Sequence, residues 1–402
     1  MARWAGRAPL RWPRGKIAIW GSASLALLLA AVTGTGYVML RHFNANIEQD
    51  NINALLGAQP VNAHPAAENI VVIGSDTRYG QGSGYGTGLV TDQSDTLMII
   101  HIPADRKWAE VMSIPRDSYV RIPACEMGDG QLSSPVQFKI NEAFALGNLY
   151  GNRTALGAAC TIKTVEQDTG IYIDHFIVVN FTGFKDMVSA LGGVYECNRT
   201  PISDPSSSLS LSAGTHLLAP AQALGYVRAR YTLGDGSDLE RIGRQQAFMS
   251  SLVSRVKSEL YDPLAIYRFL DAATRALTVD SQFGGITGLY DLWQSLRGIP
   301  SSNIAFFTVP NFPRSEVVAT DLANVLWTQP EDGEIFASFR DDVPASSTLF
   351  ASPVAMKTTA TAPATAPAKP ATANAAASPS PSPASRQVSI PARTANQSIC
   401  AG

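Results

Sequence analysis

The sequence NIVVIGSDTR at residues 69–78 begins with the first of three apolar runs that decide the fold. The second run, TLMIIHI, occupies residues 96–102, and the third, WAEVMSI, occupies residues 108–114. Short runs rich in Val and Ile that are bounded by Gly, Pro and polar residues are typical of β-strands. If the three strands pair in order as an antiparallel meander, the end of the first, the start of the second and the end of the third share one edge of the sheet.

Charged residues stand at these three strand ends. Asp76 and Arg78 follow the first strand, Asp95 opens the second, and the third is followed closely by Arg116. The meander therefore predicts that the four side chains converge. Two carboxylates beside guanidinium groups suit Mg²⁺ together with pyrophosphate, because Mg²⁺ is commonly held by one or two carboxylates and substrate phosphate oxygens. Taken singly, each residue also has an ordinary interpretation, as a turn cap or as part of a surface ion pair.

A second polar group comes from the motif YVRAR and from a long helix predicted at residues 238–260. Its members are Arg228, Arg230, Arg241, Arg244 and Gln245. The last three stand at positions i, i+3 and i+4 of the helix, so they share one face. Guanidinium groups near a helix amino terminus interact unfavourably with the helix dipole, which is easier to explain if an anion binds nearby. Arginine also matches phosphate oxygens with two parallel donors, and this group therefore predicts an anion site.

The rest of the pattern alternates strands and helices. Further strands are predicted at residues 174–181, 193–197 and 303–309, and further helices at residues 141–147, 154–168, 182–191 and 219–229. This mixture predicts a single α/β sandwich with a central mixed β-sheet flanked by helices. We assign the sandwich to residues 69–345.

The amino terminus combines basic residues with an uncharged apolar stretch at residues 17–40. The basic residues that precede this stretch are Arg3, Arg7, Arg11, Arg14 and Lys16. As a helix, the stretch would span about 36 Å, enough to cross a bilayer core of about 30 Å. A cleaved signal peptide is the alternative, although its apolar region is usually shorter. The positive-inside rule predicts a single-pass anchor with residues 1–16 in the cytoplasm and the domain outside, after a connector at residues 41–68.

Composition and the absence of certain motifs exclude several classes of function. Hydrophobic residues make up 45% of the chain and its formal net charge is −2, so it can bury a core and has no global basic field for nucleic acid. Residues 346–402 are dominated by Ala, Pro, Ser and Thr, which predicts a flexible tail. The sequence contains no GxSxG nucleophile motif, no Walker-type phosphate loop and no Cys/His spacing typical of zinc.

The four cysteines fit an oxidising compartment. A disulfide between Cys125 and Cys160 is our first prediction, and a second one between Cys197 and Cys400 stays open because spacing does not decide connectivity. His175 is predicted to be structural rather than a metal ligand.

The order of the motifs resembles that of the LytR–CpsA–Psr family. The motifs that carry the resemblance are NIVVIGSDTR, SDTLMIIHI, VMSIPRDSYVRIP, KINEAFALG, TVEQDTGIYIDHFIVVNFTGFKDMVSALGGV, AQALGYVRAR and GDGSDLERIGRQQAF. They cover residues 69–260, with a weaker match to about residue 345. The GDGSDLERIGRQQ motif and the Ala-rich tail are similar to those of actinobacterial members.

The resemblance implies an extracytoplasmic α/β domain with a long apolar pocket for a polyprenyl chain. It implies Mg²⁺-assisted transfer of a glycopolymer, of teichoic acid, capsule or arabinogalactan type, from polyprenyl pyrophosphate to a peptidoglycan hydroxyl. By motif, Asp76 and Asp95 would hold Mg²⁺ and, with Arg116, would act in catalysis; the identity of a general base stays open. The pyrophosphate would be bound by Arg78, Arg116, Arg228, Arg230, Arg241, Arg244 and Gln245. Gln93 departs from the family pattern, which usually has a basic residue before Ser-Asp-Thr.

Three rival functions stay open at this point. A polyprenyl-pyrophosphate hydrolase would use the same site with water as acceptor. A transcriptional attenuator would need a DNA-reading element in the cytoplasm, for which residues 1–16 are too short. A lipid-binding scaffold would bind the carrier without turnover.

Overall fold

The computed structural model describes residues 14–75, 93–150, 153–229, 238–259, 262–345, 350–351, 390–391, 393–395 and 400. Ten helices lie within these ranges. They are α1 (Arg14–Asn46), α2 (Asn53–Leu56), α3 (Glu142–Gly147), α4 (Thr154–Thr169), α5 (Phe181–Ala190), α6 (Pro220–Arg228), α7 (Asp238–Glu259), α8 (Pro263–Ala276), α9 (Ile286–Arg297) and α10 (Glu331–Arg340).

Eighteen strands lie within the same described ranges. They are β1 (Glu48–Asp50), β2 (Glu68–Ser75), β3 (Ser94–Ile102), β4 (Ala109–Ser113), β5 (Tyr119–Ile122), β6 (Val136–Lys139), β7 (His175–Asn180), β8 (Val194–Asn198), β9 (Ile202–Asp204), β10 (Leu209–Leu211), β11 (Gly214–Leu218), β12 (Leu277–Asp280), β13 (Ile304–Thr308), β14 (Asn311–Pro313), β15 (Val325–Trp327), β16 (Phe350–Ala351), β17 (Ile390–Pro391) and β18 (Arg393–Thr394).

Eight of the strands form the central sheet, in the order β1-β12-β7-β2-β3-β4-β13-β18. The predicted meander is present, because β2 pairs antiparallel with β3 and β3 pairs antiparallel with β4. On either side of it, β2 pairs parallel with β7 and β4 pairs parallel with β13. The sheet is therefore mixed, and the prediction of a central mixed sheet is confirmed.

Alternating residues of the sheet bury its two faces. In β2, Val71 and Ile73 point into a core that is completed by α4 and α10. Ile70 points to the opposite face, into a core that is completed by α8, α9 and the end of α1. Helices flank the sheet on both faces, as predicted for an α/β sandwich.

The close contact between α5 and α8 depends on a glycine. Asn180 accepts a hydrogen bond from the backbone N–H of Gly183 at 2.8 Å and so caps the start of α5. A Cβ atom on Gly183 would lie 2.3 Å from the Cβ of Ala276 in α8. The small residue therefore lets the two helices approach beside the carboxyl end of β7.

The first described helix joins a candidate membrane span to the domain. Residues Ile19–Asn46 are long and apolar enough to cross a bilayer, but the end of the same helix buries Phe43. Residues 41–68, predicted as a connector, also supply Ile47 and Leu56 to the cores and β1 to the central sheet. The folded domain thus begins before residue 69, because these apolar side chains have partners on α4, α8 and α9.

Part of the predicted tail lies on the domain. In β18, Thr394 pairs with Ala305 of β13, and Cys400 forms a disulfide with Cys197. The other predicted disulfide, Cys125–Cys160, is also present and joins two buried cysteines. The flexibility predicted for the rest of residues 346–402 concerns mainly residues outside the described ranges and stays a prediction.

Candidate functional site

The meander brings three strand ends to one edge of the sheet. Ser75 at the end of β2 pairs with Ser94 at the start of β3, and Ser113 at the end of β4 pairs with Met98. Asp95 follows Ser94, and the turn after β4 carries Arg116. Arg116 Nη1 donates a hydrogen bond to Asp95 Oδ1, and both side chains are about four-fifths buried. The two residues therefore meet as the sequence predicts.

Helix α7 packs against this edge of the sheet and contributes to the site. Arg241, which is 3% exposed, donates from Nη2 to the backbone carbonyl of Asp95 at 3.2 Å. Gln246 fixes the helix to the sheet, because its Nε2 donates to Ser113 Oγ at 3.0 Å and to the carbonyl of Phe307 at 3.2 Å. Gln246 was not among the predicted site residues, although the repeated Gln in RQQ was the available signal.

Of the three residues of α7 that were predicted to share one face, two line the cavity. Gln245 donates from Nε2 to the carbonyl of Val227 at 3.2 Å, and it lines the same cavity as Arg241. Arg244 instead donates from Nη2 to the carbonyl of Ala229 and is buried. An α-helix turns about 100° per residue, so Arg241 and Gln245 are only about 40° apart, whereas Arg244 is rotated about 60° to the other side of Arg241. Arg244 therefore holds the end of α6 in this structure, and its contact with phosphate stays a prediction.

The cavity between these elements has a volume of about 230 Å³. Its described lining consists of Gly74, Asp95, Thr96, Arg116, Phe181, Ser206, Ser207, Val227, Arg228, Arg241 and Gln245. The guanidinium carbon of Arg228 lies 4.7 Å from the ring centroid of Phe181, a distance typical of a cation–π contact. Phe181, the first residue of α5, was not predicted as a site residue, and neither were Ser206 and Ser207 in the turn between β9 and β10.

The charge of this lining favours an anion. Three guanidinium groups, those of Arg116, Arg228 and Arg241, face the single described carboxylate of Asp95. Guanidinium groups therefore outnumber carboxylates in the described lining. Such a partly buried positive site suits the oxygens of phosphate or pyrophosphate. Three other predicted residues, Asp76, Arg78 and Arg230, lie outside the described residues.

The donor atoms of the site are compatible with Mg²⁺ but do not form a complete metal site by themselves. Within the described ranges, no group of three or more His, Cys, Asp or Glu side chains is arranged to hold a metal ion. Asp95 and Thr96 provide oxygen atoms at the cavity, and oxygen is the ligand type that Mg²⁺ takes. The set therefore fits Mg²⁺ only with ligand oxygens from a bound phosphate and from further residues such as Asp76.

Gln93, which departs from the family pattern, is held at the start of α3. Its Nε2 donates to Glu142 Oε1, and its Oε1 accepts a hydrogen bond from Asn141 Nδ2 at 3.3 Å. Burial raises the pKa of Glu142, and the hydrogen bond from Gln93 opposes that change. Gln93 therefore bonds to α3 through its side-chain amide, which gives the position no positive charge for an anion.

His175 lies away from the cavity. It pairs with Ile70 near the start of β2, at the opposite end of that strand from the site. Its Nδ1 is 3.1 Å from Asp280 Oδ1, and its ring packs edge-on against Phe283. These contacts agree with a structural role.

The fold and the cavity define an α/β sandwich that has a candidate membrane span at Ile19–Asn46 and a cationic cleft at the edge of its sheet. The chain belongs to the LytR_cpsA_psr family, whose sequence profile matches residues 38–331. It is 32% identical to the probable cell wall biosynthesis protein LcpB of Corynebacterium glutamicum over 78% of this chain and 70% of that protein. The actinobacterial resemblance is thereby confirmed.

Two further comparisons agree with this assignment. The chain is 28% identical to the polyisoprenyl-teichoic acid–peptidoglycan teichoic acid transferase TagT of Bacillus subtilis, over 68% of this chain and 80% of that protein. Its structure is similar to the crystal structure of protein gbs0355 from Streptococcus agalactiae, with a TM-score of 0.54 and 22% identity over 70% of this chain and 90% of the other. At that identity, the structural similarity supports the fold alone.

Proposed function

We propose that this protein transfers a glycopolymer from a polyprenyl-pyrophosphate carrier to a hydroxyl group of peptidoglycan. The observation that carries the proposal is the cleft that Arg116, Arg228 and Arg241 line together with Asp95. The names of the relatives support it, since one is a cell wall biosynthesis protein and another is a teichoic acid transferase. The polymer would be of teichoic acid, capsule or arabinogalactan type.

The arginines would bind the pyrophosphate and neutralise charge in the transition state. In the reaction, the acceptor hydroxyl attacks the phosphorus that carries the glycan, and the bond from that phosphorus to the bridging oxygen breaks. The glycan becomes attached through a phosphodiester, polyprenyl phosphate leaves, and the hydroxyl proton passes to a base. Preorganised positive groups in a water-poor site are effective because the charge on the leaving phosphate grows as the bond breaks.

Asp95, with Asp76, would hold Mg²⁺ in this site. When bound, the ion would supply further charge neutralisation at the phosphate oxygens. The chain's own contribution is position: β3 fixes Asp95, the turn after β4 fixes Arg116, and α7 fixes Arg241 through its bond to the Asp95 carbonyl. Asp76 and Asp95 are the two candidates for the base, and substitution of each would test that role.

We also propose that the protein is a single-pass membrane protein with an extracytoplasmic domain. Support comes from the candidate span at Ile19–Asn46 and from the basic residues before it. The two disulfides suit an oxidising compartment outside the cytoplasm. Its partners would be the lipid-linked polymer, peptidoglycan and the bilayer.

The test uses the full chain in detergent with Mg²⁺, a polyprenyl-pyrophosphate-linked glycan and peptidoglycan fragments. Wild type is compared with Arg116→Ala and Asp95→Ala, and with Arg297→Ala as a control for an exposed arginine on α9. We expect attachment of glycan in wild type and in the control, and a loss of about a hundredfold or more in the two site variants. Repeating the assay with EDTA in place of Mg²⁺ tests whether glycan attachment requires the metal ion.

Two results would contradict the proposal. Release of free polyprenyl phosphate without glycan attachment would favour the hydrolase. Binding of the carrier without turnover, unaffected by either site substitution, would favour a lipid-binding scaffold and would place the chemistry elsewhere.

A further inference from the structure

One part of the cavity wall contains no charged side chain. It is the turn Pro205–Ser207, between β9 and β10, which contributes Ser206 and Ser207 to the lining. The rest of the polar lining consists mainly of arginines and Asp95. The two hydroxyl groups therefore give this part of the wall a different chemical character from the anion site.

A buried aspartate fixes the turn. Asp204 is 1% exposed, and its Oδ1 accepts hydrogen bonds from the backbone N–H of Ser206 at 2.9 Å and from that of Ser207 at 3.4 Å. Burial lowers the pKa of Arg244, and the negative charge of Asp204 is one of the contributions that oppose this change. The Arg244 guanidinium is held against the carbonyl that follows α6. The position of the turn is thus set by contacts within the hairpin and by packing against α6.

The same aspartate determines what the serine hydroxyls can do. Ser206 Oγ donates its proton to Asp204 Oδ1 at 2.5 Å, and Ser207 Oγ donates to the Asp204 carbonyl at 3.4 Å. A hydroxyl has one proton to donate and two lone pairs that accept. With both protons directed to Asp204, the serines offer acceptors to the cavity.

An acceptor wall discriminates between ligand groups. Ionised phosphate oxygens carry no proton, so they gain no hydrogen bond from Ser206 or Ser207 in this arrangement. A sugar hydroxyl can donate to them. The aromatic ring in the described lining, that of Phe181, is covered on one face by Arg228. Hydrogen bonding rather than ring stacking on that face would therefore recognise the sugar.

We propose that Ser206 and Ser207 form a subsite for a sugar hydroxyl beside the pyrophosphate site. The proposal rests on the proposed transfer of a glycan and specifies which wall of the cavity the sugar contacts. The hydroxyl comes either from the sugar attached to the donor pyrophosphate or from the acceptor glycan. Ser206 has the shorter hydrogen bond to Asp204 and is the stronger acceptor of the two.

The experiment measures binding and turnover with the full chain in detergent. Calorimetry compares inorganic pyrophosphate, polyprenyl pyrophosphate and polyprenyl pyrophosphate that bears one N-acetylhexosamine. The variants are Ser206→Ala, Ser206→Thr and, as a matched control on the same hairpin, Ser210→Ala, since Ser210 is exposed on β10. Steady-state assays give separate KM values for donor and acceptor.

We expect Ser206→Ala to lose one hydrogen bond and therefore to weaken the sugar-bearing ligand by about fivefold. Its affinity for inorganic pyrophosphate and for plain polyprenyl pyrophosphate should be unchanged, and Ser206→Thr should restore most of the loss. If the sugar belongs to the acceptor, the donor affinity is unchanged and the acceptor KM rises by the same factor.

Equal weakening of all three ligands would mean that Ser206 only holds the turn, and it would overturn the proposal. Unchanged donor affinity together with an unchanged acceptor KM would also overturn it. The proposed function fails separately, when wild type attaches no glycan to peptidoglycan. Selective binding of the sugar-bearing carrier can still be measured in that case, so the two failures are distinguishable.

Discussion

Glu110 lies in β4, the strand that leads to Arg116, and is 3% exposed. Its Oε1 accepts a hydrogen bond from the backbone N–H of Ala345 at 2.9 Å, whereas Oε2 finds no partner among the residues that the structure describes. Burial raises the pKa of Glu110 from 4.5 to about 7, and the bond from Ala345 opposes the change only in part. We predict that Glu110→Gln makes the stability of the protein less dependent on pH.

The magnitude follows from the shift in pKa. A carboxyl group whose pKa is raised on folding binds more protons in the folded state than in the unfolded state. Its favourable contribution is therefore complete below about pH 4.5 and is lost as the pH rises through about 7. One pKa unit corresponds to about 1.4 kcal/mol, so the loss amounts to about 3 kcal/mol. Glutamine keeps the acceptor for Ala345 and carries no charge at any of these pH values.

Urea unfolding of the full chain in detergent, followed by tryptophan fluorescence at pH 5 and pH 8, gives the free energy of unfolding. We expect Glu110→Gln to be within about 1 kcal/mol of wild type at pH 5 and to be more stable by up to about 3 kcal/mol at pH 8. Glu334→Gln, an exposed position on α10, controls for removal of a carboxylate as such. A difference between wild type and Glu110→Gln that is the same at both pH values would refute the reasoning.

Two other predictions concern packing and covalent structure. Gly183→Ala should destabilise the protein by about 1–3 kcal/mol or more, because the added Cβ would lie 2.3 Å from that of Ala276. Gly243→Ala in α7, where nothing lies within 4 Å of the added Cβ, should instead stabilise it by about 1 kcal/mol; thermal unfolding of both variants is the measurement, and equal effects would contradict it. Replacing both Cys125 and Cys160 by Ser opens a disulfide that spans 35 residues and should cost about 4 kcal/mol by chain entropy. Urea unfolding measures this cost, and an unchanged midpoint would count against it.

The sequence was sufficient to predict the features that depend on consecutive strands or on the repeat of a single helix. Asp95 and Arg116 could be placed together because strand pairing in a meander is dictated by consecutive strands with short connections. Arg241 and Gln245 could be placed on one face because helical periodicity is local. In both cases the relevant partners are near in sequence or are fixed by a regular repeat.

The features that the sequence did not reveal depend on long-range packing. Ser206 lines the cavity because the β9–β10 hairpin packs against α6, and nothing in the serine-rich segment specifies that contact. The contribution of β1 to the sheet depends on pairing with β12, far along the chain. Arg244 was assigned to the phosphate site because it lies three residues after Arg241, near the same helical face. In the structure its Nη2 donates to the carbonyl of Ala229.

The ion pair between Arg116 and Asp95 has a consequence for how the proposed reaction would begin. In this structure each group neutralises the other while both are largely removed from water, and an unpaired charge in that position would be costly. Binding of Mg²⁺ at Asp95 would draw the carboxylate away from Arg116, and a pyrophosphate oxygen would then replace the carboxylate as the partner of the guanidinium. Either ligand alone would break this close pair, and the more distant Asp117, 3.9 Å from Arg116 Nε, would only partly replace Asp95. Both ligands together would give Asp95 and Arg116 a new close partner each. The geometry therefore predicts that Mg²⁺ and the pyrophosphate carrier bind cooperatively, and that calorimetry with Arg116→Ala should show weaker coupling between them than wild type.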